Sequence, residues 1–261
     1  MHLFPVIEVG GFHLDLSTIL ALLVSCTVVF VLARVAVSNL SVHNPSRMQN
    51  FLEWVVDFVH NLVASAMPLE KAKKFIALGM TLIMFIFVSN VLGLPFGIVT
   101  EHHHESKIFG YTYVTDEMVA EHDGHAHVAW WKSPTADIMV TLGLAVVVFF
   151  LIHYLGFTQN RKHYIKHYFQ PFWFFFPLNL LEQVARPITL AVRLYANIFA
   201  GELLIATILM LGFVGFPLLA VWQGFSIFVG AIQAFLFTIL TMVYISQAIV
   251  HEDHDDDHDD H

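Results

Sequence analysis

Three polar side chains interrupt a long apolar run towards the carboxyl-terminal end of the sequence. Arg193, Asn197 and Glu202 lie in a stretch that otherwise holds mainly Leu, Ile, Ala and Phe. An arginine at the centre of a bilayer costs from about 2.5 to more than about 10 kcal/mol, so it must face protein, water or an opposite charge. A cation and a carboxylate in such a run predict a path for a small ion, which we expect to be a proton.

The spacing of these side chains places the two charges on different faces of one helix. At about 100 degrees per residue, Asn197 lies about 40 degrees from Arg193, whereas Glu202 lies about 180 degrees away. Opposite faces disfavour a salt bridge within the helix. They favour a helix that separates two environments.

The next apolar run carries a matching polar stripe. Its members share one side of a helix, within about 80 degrees of Gln233. They are Gln223, Ser226, Gly230, Gln233, Thr241 and Tyr244. We expect this face to pack against the helix of Arg193. The amide of Gln233 can hydrogen-bond a guanidinium without neutralising it, which would hold Arg193 in place with its charge retained.

Composition identifies the elements that must position these residues as membrane helices. The 261 residues are 57% hydrophobic and 13% charged, with a mean hydropathy of +0.69, whereas a soluble domain carries about 25% charged residues. The formal charge of -9 says little about partners, because the acids crowd into a few polar stretches, but the absence of a basic tract predicts no nucleic-acid partner. No GxxxxGK[ST] phosphate loop occurs, and we expect no cofactor and no catalytic metal. The single Cys26 is assigned no role.

Five apolar runs are long enough to span a hydrocarbon core of about 30 Å. They cover residues 16–36, 75–99, 136–157, 188–213 and 218–250, and the last two should be long and tilted. We therefore predict an all-α, polytopic membrane protein that forms a single membrane domain. A further segment, 46–67, repeats apolar residues at three- and four-residue steps and predicts an amphipathic helix in the cytoplasmic interface.

Lysine and arginine are concentrated in two connections, the one between the first two runs and the one over 158–187. Such connections face the cytoplasm, so the segment 1–15 and the loop 100–135 should lie outside and the acidic, histidine-rich tail 251–261 inside. The aromatic stretch Phe169 to Phe176 contains Pro171, and Pro177 follows it. It predicts a bend at headgroup depth.

Two motifs and a shorter match resemble one family. The stretch RPITLAVRLYANIFAGELL, the later IQAFLFTILTMVY and the SNVLGLP end of the second run are similar to subunit a of F-type ATP synthase, the stator channel beside a rotating ring of c subunits. The RLxxNxxAGEL pattern is highly specific, and the resemblance extends over most of the chain.

The resemblance implies roles for individual residues. It implies that Arg193 faces the ring, and that Asn197, Glu202 and Gln233 line or support proton half-channels. Asn90 occupies a position where the family often has a polar channel residue. Ser226 departs from relatives that have a titratable side chain there, which leaves Glu202 as the main candidate relay on that side.

The resemblance also implies partners and location. The partners would be the c-subunit ring, the b-subunit peripheral stalk, other ATP synthase subunits and membrane lipid, in a bacterial cell membrane. The chain would carry ions, and the chemistry of ATP would belong to partner subunits.

Simpler interpretations remain open at several positions. One such interpretation is that the side chains of Asn197, Gln223 and Asn90 form hydrogen bonds between helices and have no role in ion transport. Arg186, beside Pro187, fits a snorkelling anchor. Glu182 lies one helical turn before Arg186 and fits either a cytoplasmic channel mouth or a solvated charge.

Histidine supports a different class of protein. HHH at 102–104, HDGHAH at 122–127 and four histidines in the tail resemble metal-collecting segments, so a divalent-metal transporter is the alternative hypothesis. Against it, no apolar run pairs histidines with carboxylates, and Arg193 would repel a divalent cation. A purely structural membrane scaffold, the third hypothesis, leaves the cost of Arg193 unexplained.

Overall fold

Helices make up most of the architecture. The computed structural model describes residues 4–9, 12–94, 99–104, 106–108, 111–121, 126–159 and 176–249. The helices are α1 (Leu16–Ala36), α2 (Arg47–Ala66), α3 (Leu69–Ala72), α4 (Ile76–Leu92), α5 (Asp116–Glu121), α6 (Ile138–Gln159), α7 (Phe176–Leu209) and α8 (Gly215–Ile249). The strands are β1 (Val6–Val9), β2 (Phe12–Asp15), β3 (Val99–His102), β4 (Ser106–Ile108), β5 (Tyr111–Val114) and β6 (Ala126–Ala129).

The apolar runs form helices of membrane-spanning length. In the described part of the chain, four helices are long and apolar enough to cross a membrane: α1, α6, Leu180–Leu209 within α7, and Gly212–Ile249, which includes α8. The shorter apolar helix α4 has 17 residues, which extend about 26 Å at 1.5 Å per residue. That length approaches the hydrocarbon thickness of about 30 Å. The prediction of an all-α polytopic membrane protein is confirmed.

The second apolar helix ends earlier than hydropathy indicated. We predicted a span over 75–99, but α4 stops at Leu92, and Gly93 follows. The indole Nε1 of Trp131 donates a hydrogen bond of 2.8 Å to the Leu92 carbonyl oxygen, which satisfies an acceptor that a helix end leaves free. The helix α4 therefore ends within the apolar run 75–99, where Trp131, distant in the sequence, hydrogen-bonds its end.

The amphipathic segment 46–67 forms α2. Ser46 caps the helix, because its Oγ accepts the backbone N–H of Gln49 at 3.1 Å. Val59 and Val63 are buried and approach Gly79 of α4 closely. Trp54, in contrast, is 64% exposed. A helix with one packed face and exposed aromatic rings suits the predicted interfacial position.

The helix that carries Arg193 is longer than predicted at its amino-terminal end. We placed a loop over 158–187 and a helix over 188–213, but α7 begins at Phe176 and continues through Pro187. We predicted a break at Pro171 and Pro177, but Pro177 lies in the first turn of α7, where a proline is tolerated because that N–H has no partner in a helix. Pro187 lies in the helix interior, where proline lacks a needed N–H and its ring clashes with the preceding turn. Membrane helices tolerate such a position, since neighbouring groups satisfy the freed carbonyl. The predicted bend lies almost wholly in 160–175, outside the described residues.

Short strands build a small structure at one end of the helix bundle. They pair as antiparallel ribbons, β1 with β2, β3 with β6 and β4 with β5. Val114 and Val128 are buried in a cluster of their own. We call β1 to β6 together with α5 the ribbon cap. We predicted no strands in 1–15 or 100–135; short polar strands give a weak periodic signal, and packing against one another stabilises them.

The bundle packs around α8. Phe237, Met242 and Ile245 of α8 are buried together with Ile86 of α4 and Leu194 of α7. The chain turns from α7 into α8 at Gly212, whose φ of 60 degrees is readily adopted only by glycine. This packing fixes α7 against α8 and leaves one side of α7 open.

Candidate ion-translocation site

Arg193 lies on the open side of α7. Its side chain is exposed, as are Asn197, Ala196, Ala200 and Leu204, which fall within about 60 degrees of it on the helix. Within the part of the chain that the structure describes, no hydrogen bond or ion pair reaches its guanidinium. Small side chains such as Ala196 and Ala200 allow another helix to approach closely. The open face can therefore seat a second helical surface against an available cation.

Glu202 faces into the protein. Its side chain is half-buried, and its Oε1 accepts the backbone N–H of Ser133 at 2.7 Å. Ser133 comes directly before the 3₁₀ turn Pro134–Ala136, which leads into α6. A residue outside the long helices thus holds this carboxylate.

A chain of buried polar contacts continues from Ser133. Its hydroxyl donates to the Ser89 carbonyl oxygen at 2.9 Å and lies 2.7 Å from the Thr135 hydroxyl. Thr135 donates to Oδ1 of Asn90 at 2.5 Å, and Asn90 Nδ2 donates to the Gly230 carbonyl oxygen at 3.0 Å. Because the two hydroxyl protons serve three contacts, their positions can alternate. The contacts connect Glu202 of α7 with α4 and α8 through polar atoms.

Part of the packing that we expected for the polar stripe is wrong, as the contacts of Asn90 show. We expected that stripe of α8 to face α7, but Gly230 packs on Asn90 of α4, where a Cβ added to the glycine would lie 3.0 Å from the asparagine Cβ. Ser226 does face α7, since its Oγ would lie 3.8 Å from a Cβ added at Gly201. The stripe therefore divides between two neighbouring helices, because α8 is wedged between them.

The Gln233 side chain and the Ser226 hydroxyl are both buried. Gln233 is 7% exposed, and no hydrogen bond joins it to Arg193, which contradicts the proposed contact between the two. The Oγ of Ser226 is buried and has no hydrogen-bond partner among the described residues. A buried hydroxyl without a partner is a binding site for an ordered water molecule.

A second polar cluster lies near the other end of α7. Arg186 donates to Glu182 Oε1 at 2.6 Å and to Gln247 Oε1 at 2.8 Å, and its guanidinium lies 5.2 Å from the Tyr244 ring centroid. Glu182 is itself 58% exposed at its side chain. Arg186 thus ties α7 to α8, a contact that the prediction of a simple snorkelling anchor omitted.

Arg193 lies between the two clusters along the helix axis. At 1.5 Å per residue, it is about 16 Å from Glu182 and about 14 Å from Glu202. These separations exceed any direct proton transfer. Arg193 therefore separates the two polar clusters along α7 without contacting either glutamate.

Comparisons with known proteins agree on one family. A profile of the ATP synthase A chain matches residues 16–246. The chain is 44% identical over 257 residues to ATP synthase subunit a of Priestia megaterium, covering 95% of this chain and 98% of that one. The corresponding protein of Bacillus subtilis is 42% identical over 268 residues, covering 96% and 99%. This chain belongs to the ATP synthase A chain family.

Further relatives extend the match within the ATP synthase A chain family. Subunit a of Listeria monocytogenes serotype 4b is 42% identical over 259 residues, covering 95% of this chain and 98% of its own length. Membership places the chain among the membrane-sector subunits of F-type ATP synthase, in agreement with its spanning helices. Proton transport and ATP synthesis are the processes in which that sector takes part.

A cluster of charged residues includes Lys132, the residue directly before Ser133, whose backbone N–H contacts Glu202. Lys132 Nζ is 2.6 Å from Asp15 Oδ2 and 3.0 Å from Asp137 Oδ2. Burial alone would lower the pKa of Lys132, but the hydrogen bonds and charges of the two aspartates raise it above 10.5. Burial likewise opposes ionisation of Asp137, yet the Lys132 hydrogen bond and charge lower the pKa of that carboxyl below 3.8. We call Asp15, Lys132 and Asp137 the ion triad.

The residues that sequence reasoning missed lie in the connection between β6 and α6. Ser133, Thr135 and Lys132 belong to a connection with no helical period, so no face could be assigned to them. The one available signal is the cluster of small polar residues, SPTAD, directly before an apolar run. It marks a helix start.

Metal binding has little structural basis in the described residues. Among them, no group of three or more His, Cys, Asp or Glu side chains could hold a metal ion. The histidines of the tail 251–261 and most of the HDGHAH motif lie outside the described residues.

Proposed function

We propose that this chain is the proton-conducting stator subunit of a rotary ATP synthase. It provides two half-channels that load and unload carboxylates of a c-subunit ring as these pass Arg193. The observation that carries the proposal is the position of Arg193: it lies on the open face of α7, between polar clusters near the two ends of that helix.

The charge of Arg193 explains why ions must be exchanged there. A ring carboxyl can face lipid only when it is protonated, because a bare carboxylate in hydrocarbon is too costly. Beside a guanidinium the ionised form is favoured. Each ring site must therefore release its proton before it meets Arg193 and bind another after it passes. Arginine suits this role because it stays charged at every working pH.

Each of the two polar clusters belongs to one of the two half-channels. On the side of the ribbon cap, Glu202, Asn90 and Ser226 form or border the polar route, and Gln233 and Asn197 support it. On the other side, Glu182 lies near the channel mouth. Arg193 repels protons and so blocks a direct leak from one half-channel to the other.

The open face of α7 is the surface on which the c-subunit ring would sit. A b-subunit peripheral stalk and the other ATP synthase subunits would hold the chain against rotation, and lipid would cover the remaining apolar helices. The location is a bacterial cell membrane, with the ribbon cap outside. Proton flow supplies about 2.3 kcal/mol per charge per 100 mV, and the chemistry of ATP takes place in other subunits.

Replacing Arg193 tests the proposal. Arg193→Ala should abolish ATP synthesis driven by a proton gradient in membrane vesicles, while the assembled complex remains detectable. Arg34→Ala is the matched control, because Arg34 is an exposed arginine near the end of α1, and it should retain synthesis. Synthesis at the normal rate in Arg193→Ala would refute the assigned role.

The alternative of a divalent-metal transporter makes a different prediction. It requires metal transport by the isolated chain in proteoliposomes, whereas the stator function requires a co-purifying ring. The family match favours the stator. Zinc uptake by the isolated chain would revive the transporter hypothesis.

A further inference from the structure

We propose that Lys132 is a positioning residue for the Glu202 carboxylate. The ion triad anchors the connection between β6 and α6, and this anchoring holds the Ser133 backbone N–H on Glu202. The inference rests on the proposed function, because it assigns Lys132 a part in the half-channel that contains Glu202.

The ion triad joins three parts of the chain in a partly buried setting. The side chains of Lys132, Asp15 and Asp137 are 11%, 16% and 18% exposed. Lys132 bridges the end of β2 to the residue before α6. Thr18 adds a contact, since its hydroxyl donates to Asp137 Oδ2 at 3.1 Å. At this burial the ion pairs are less screened than on an open surface.

Both aspartates are fixed by more than Lys132. Asp15 caps α1, because its Oδ1 accepts the backbone N–H of Ser17 at 2.9 Å. Asp137 Oδ1 accepts the backbone N–H of Met139 at 2.9 Å at the start of α6. The ammonium group is therefore held between two helix starts that the bundle already fixes. The two helix starts therefore fix the position of the Lys132 side chain and, through it, of the Lys132 backbone.

The neighbours of Lys132 transmit this anchoring to Glu202. Ser133 is the next residue, and its N–H is 2.7 Å from Glu202 Oε1. On the other side, Trp131 Nε1 donates to the Leu92 carbonyl oxygen at 2.8 Å. Gly93 allows the connection to lie against α4, because a Cβ added there would be 2.8 Å from the Ser133 Cα.

The connection needs such an anchor because no helix or sheet hydrogen bonds hold its backbone in place. Residues 130–133 lie between β6 and the 3₁₀ turn, outside any helix or strand. A functional donor must be held within about 0.5 Å of its working position, which requires support from residues around it. The ion triad supplies that support at the residue directly before Ser133.

A double-mutant cycle separates positioning from a general structural role. We would measure passive proton uptake in vesicles that carry the membrane sector, normalised to the abundance of this subunit. Lys132→Met should reduce the flux about tenfold, the size expected for one hydrogen bond to a charged group. In a Glu202→Gln background, the same change should reduce the remaining flux less than about twofold.

Two further variants and one control complete the cycle. Lys132→Arg should retain most of the flux, because it keeps a cation between the aspartates. Asp137→Asn is a milder change that keeps the Asp15 bridge, and its effect should depend on Glu202 in the same way. Lys107→Met removes another lysine of the ribbon cap, outside the ion triad, and should leave the flux unchanged.

Backbone hydrogen exchange over residues 131–133 gives a readout that does not need flux. Exchange should be faster in Lys132→Met than in the parent and unchanged in Lys107→Met. Equal proportional losses of flux in both Glu202 backgrounds, or unchanged exchange in Lys132→Met, would overturn the inference and leave the proposed function intact. Normal flux in Glu202→Gln alone would also overturn the inference, because Glu202 would then lie outside the path, whereas the stator function itself is refuted only by normal ATP synthesis in Arg193→Ala.

Discussion

Arg193 and Glu202 belong to the same helix but face different surroundings. The guanidinium lies on the open side of α7, whereas the Glu202 carboxylate accepts the Ser133 backbone N–H at 2.7 Å inside the protein. Their separation along the sequence gives about 180 degrees of rotation and about 14 Å of rise. Under the proposed function, a mobile acidic group must therefore carry each proton between the two environments.

Glu202→Gln should slow passive proton uptake by at least about tenfold without lowering subunit abundance. Glutamine keeps the shape and can accept the same N–H, but it cannot bind and release a proton. The measurement is proton uptake in vesicles, normalised to the amount of subunit. Glu53→Gln in α2, a carboxylate at the other end of the bundle, is the control. Unchanged flux in Glu202→Gln would remove Glu202 from the path.

Gly230→Ala and Gly224→Ala should have opposite effects on stability. A Cβ at Gly230 would lie 3.0 Å from the Asn90 Cβ, whereas a Cβ at Gly224 meets nothing within 4 Å. Overpacking costs about 1–3 kcal/mol, and alanine in an open helical position gains up to about 1 kcal/mol. Thermal unfolding of the detergent-solubilised complex measures both. Similar melting temperatures for the two variants would contradict the close packing of α8 on α4.

Thr135→Val should destabilise the protein by about 1–3 kcal/mol, because it leaves the buried Asn90 Oδ1 without its donor. Thr207→Val is the matched control. The Thr207 hydroxyl bonds to the Leu203 carbonyl of its own helix at an exposed position, and its loss should stay within about 0.5 kcal/mol. Unfolding by heat or denaturant provides the comparison. Equal effects at the two positions would argue against the buried network.

The ion triad should make stability depend on pH at both extremes. Because the folded pKa of Asp137 lies below its ordinary 3.8, its stabilisation is present above that value and is lost as the pH falls through the folded pKa. Because the folded pKa of Lys132 lies above 10.5, its stabilisation is present below that value and is lost as the pH rises through the folded pKa.

Asp137→Asn tests the acid side of this dependence. Its melting temperature should be below that of the parent near neutral pH, and the two should converge below about pH 4. Melting curves of the solubilised complex between these conditions provide the check. A difference that stays constant across this range would show that the Asp137 charge does not contribute.

Several elements followed from local pattern alone. The amphipathic repeat predicted α2 to within a residue at each end, and apolar length predicted α1 and α8 closely. The opposite faces of Arg193 and Glu202 followed from helical period. Pattern failed over residues 176–187, which we predicted as part of a loop but which begin α7. It also failed in the ribbon cap, whose short strands depend on one another.

The amino-acid sequence by itself determined the membrane helices, the charged residues within them and the family, because hydropathy, helical period and a specific motif are local properties. Only the tertiary structure decided which groups meet. Ser133 reaches Glu202 and Lys132 reaches Asp15 across long stretches of chain, from a connection with no period of its own. Such contacts depend on how helices pack and where loops return, and no local pattern records that.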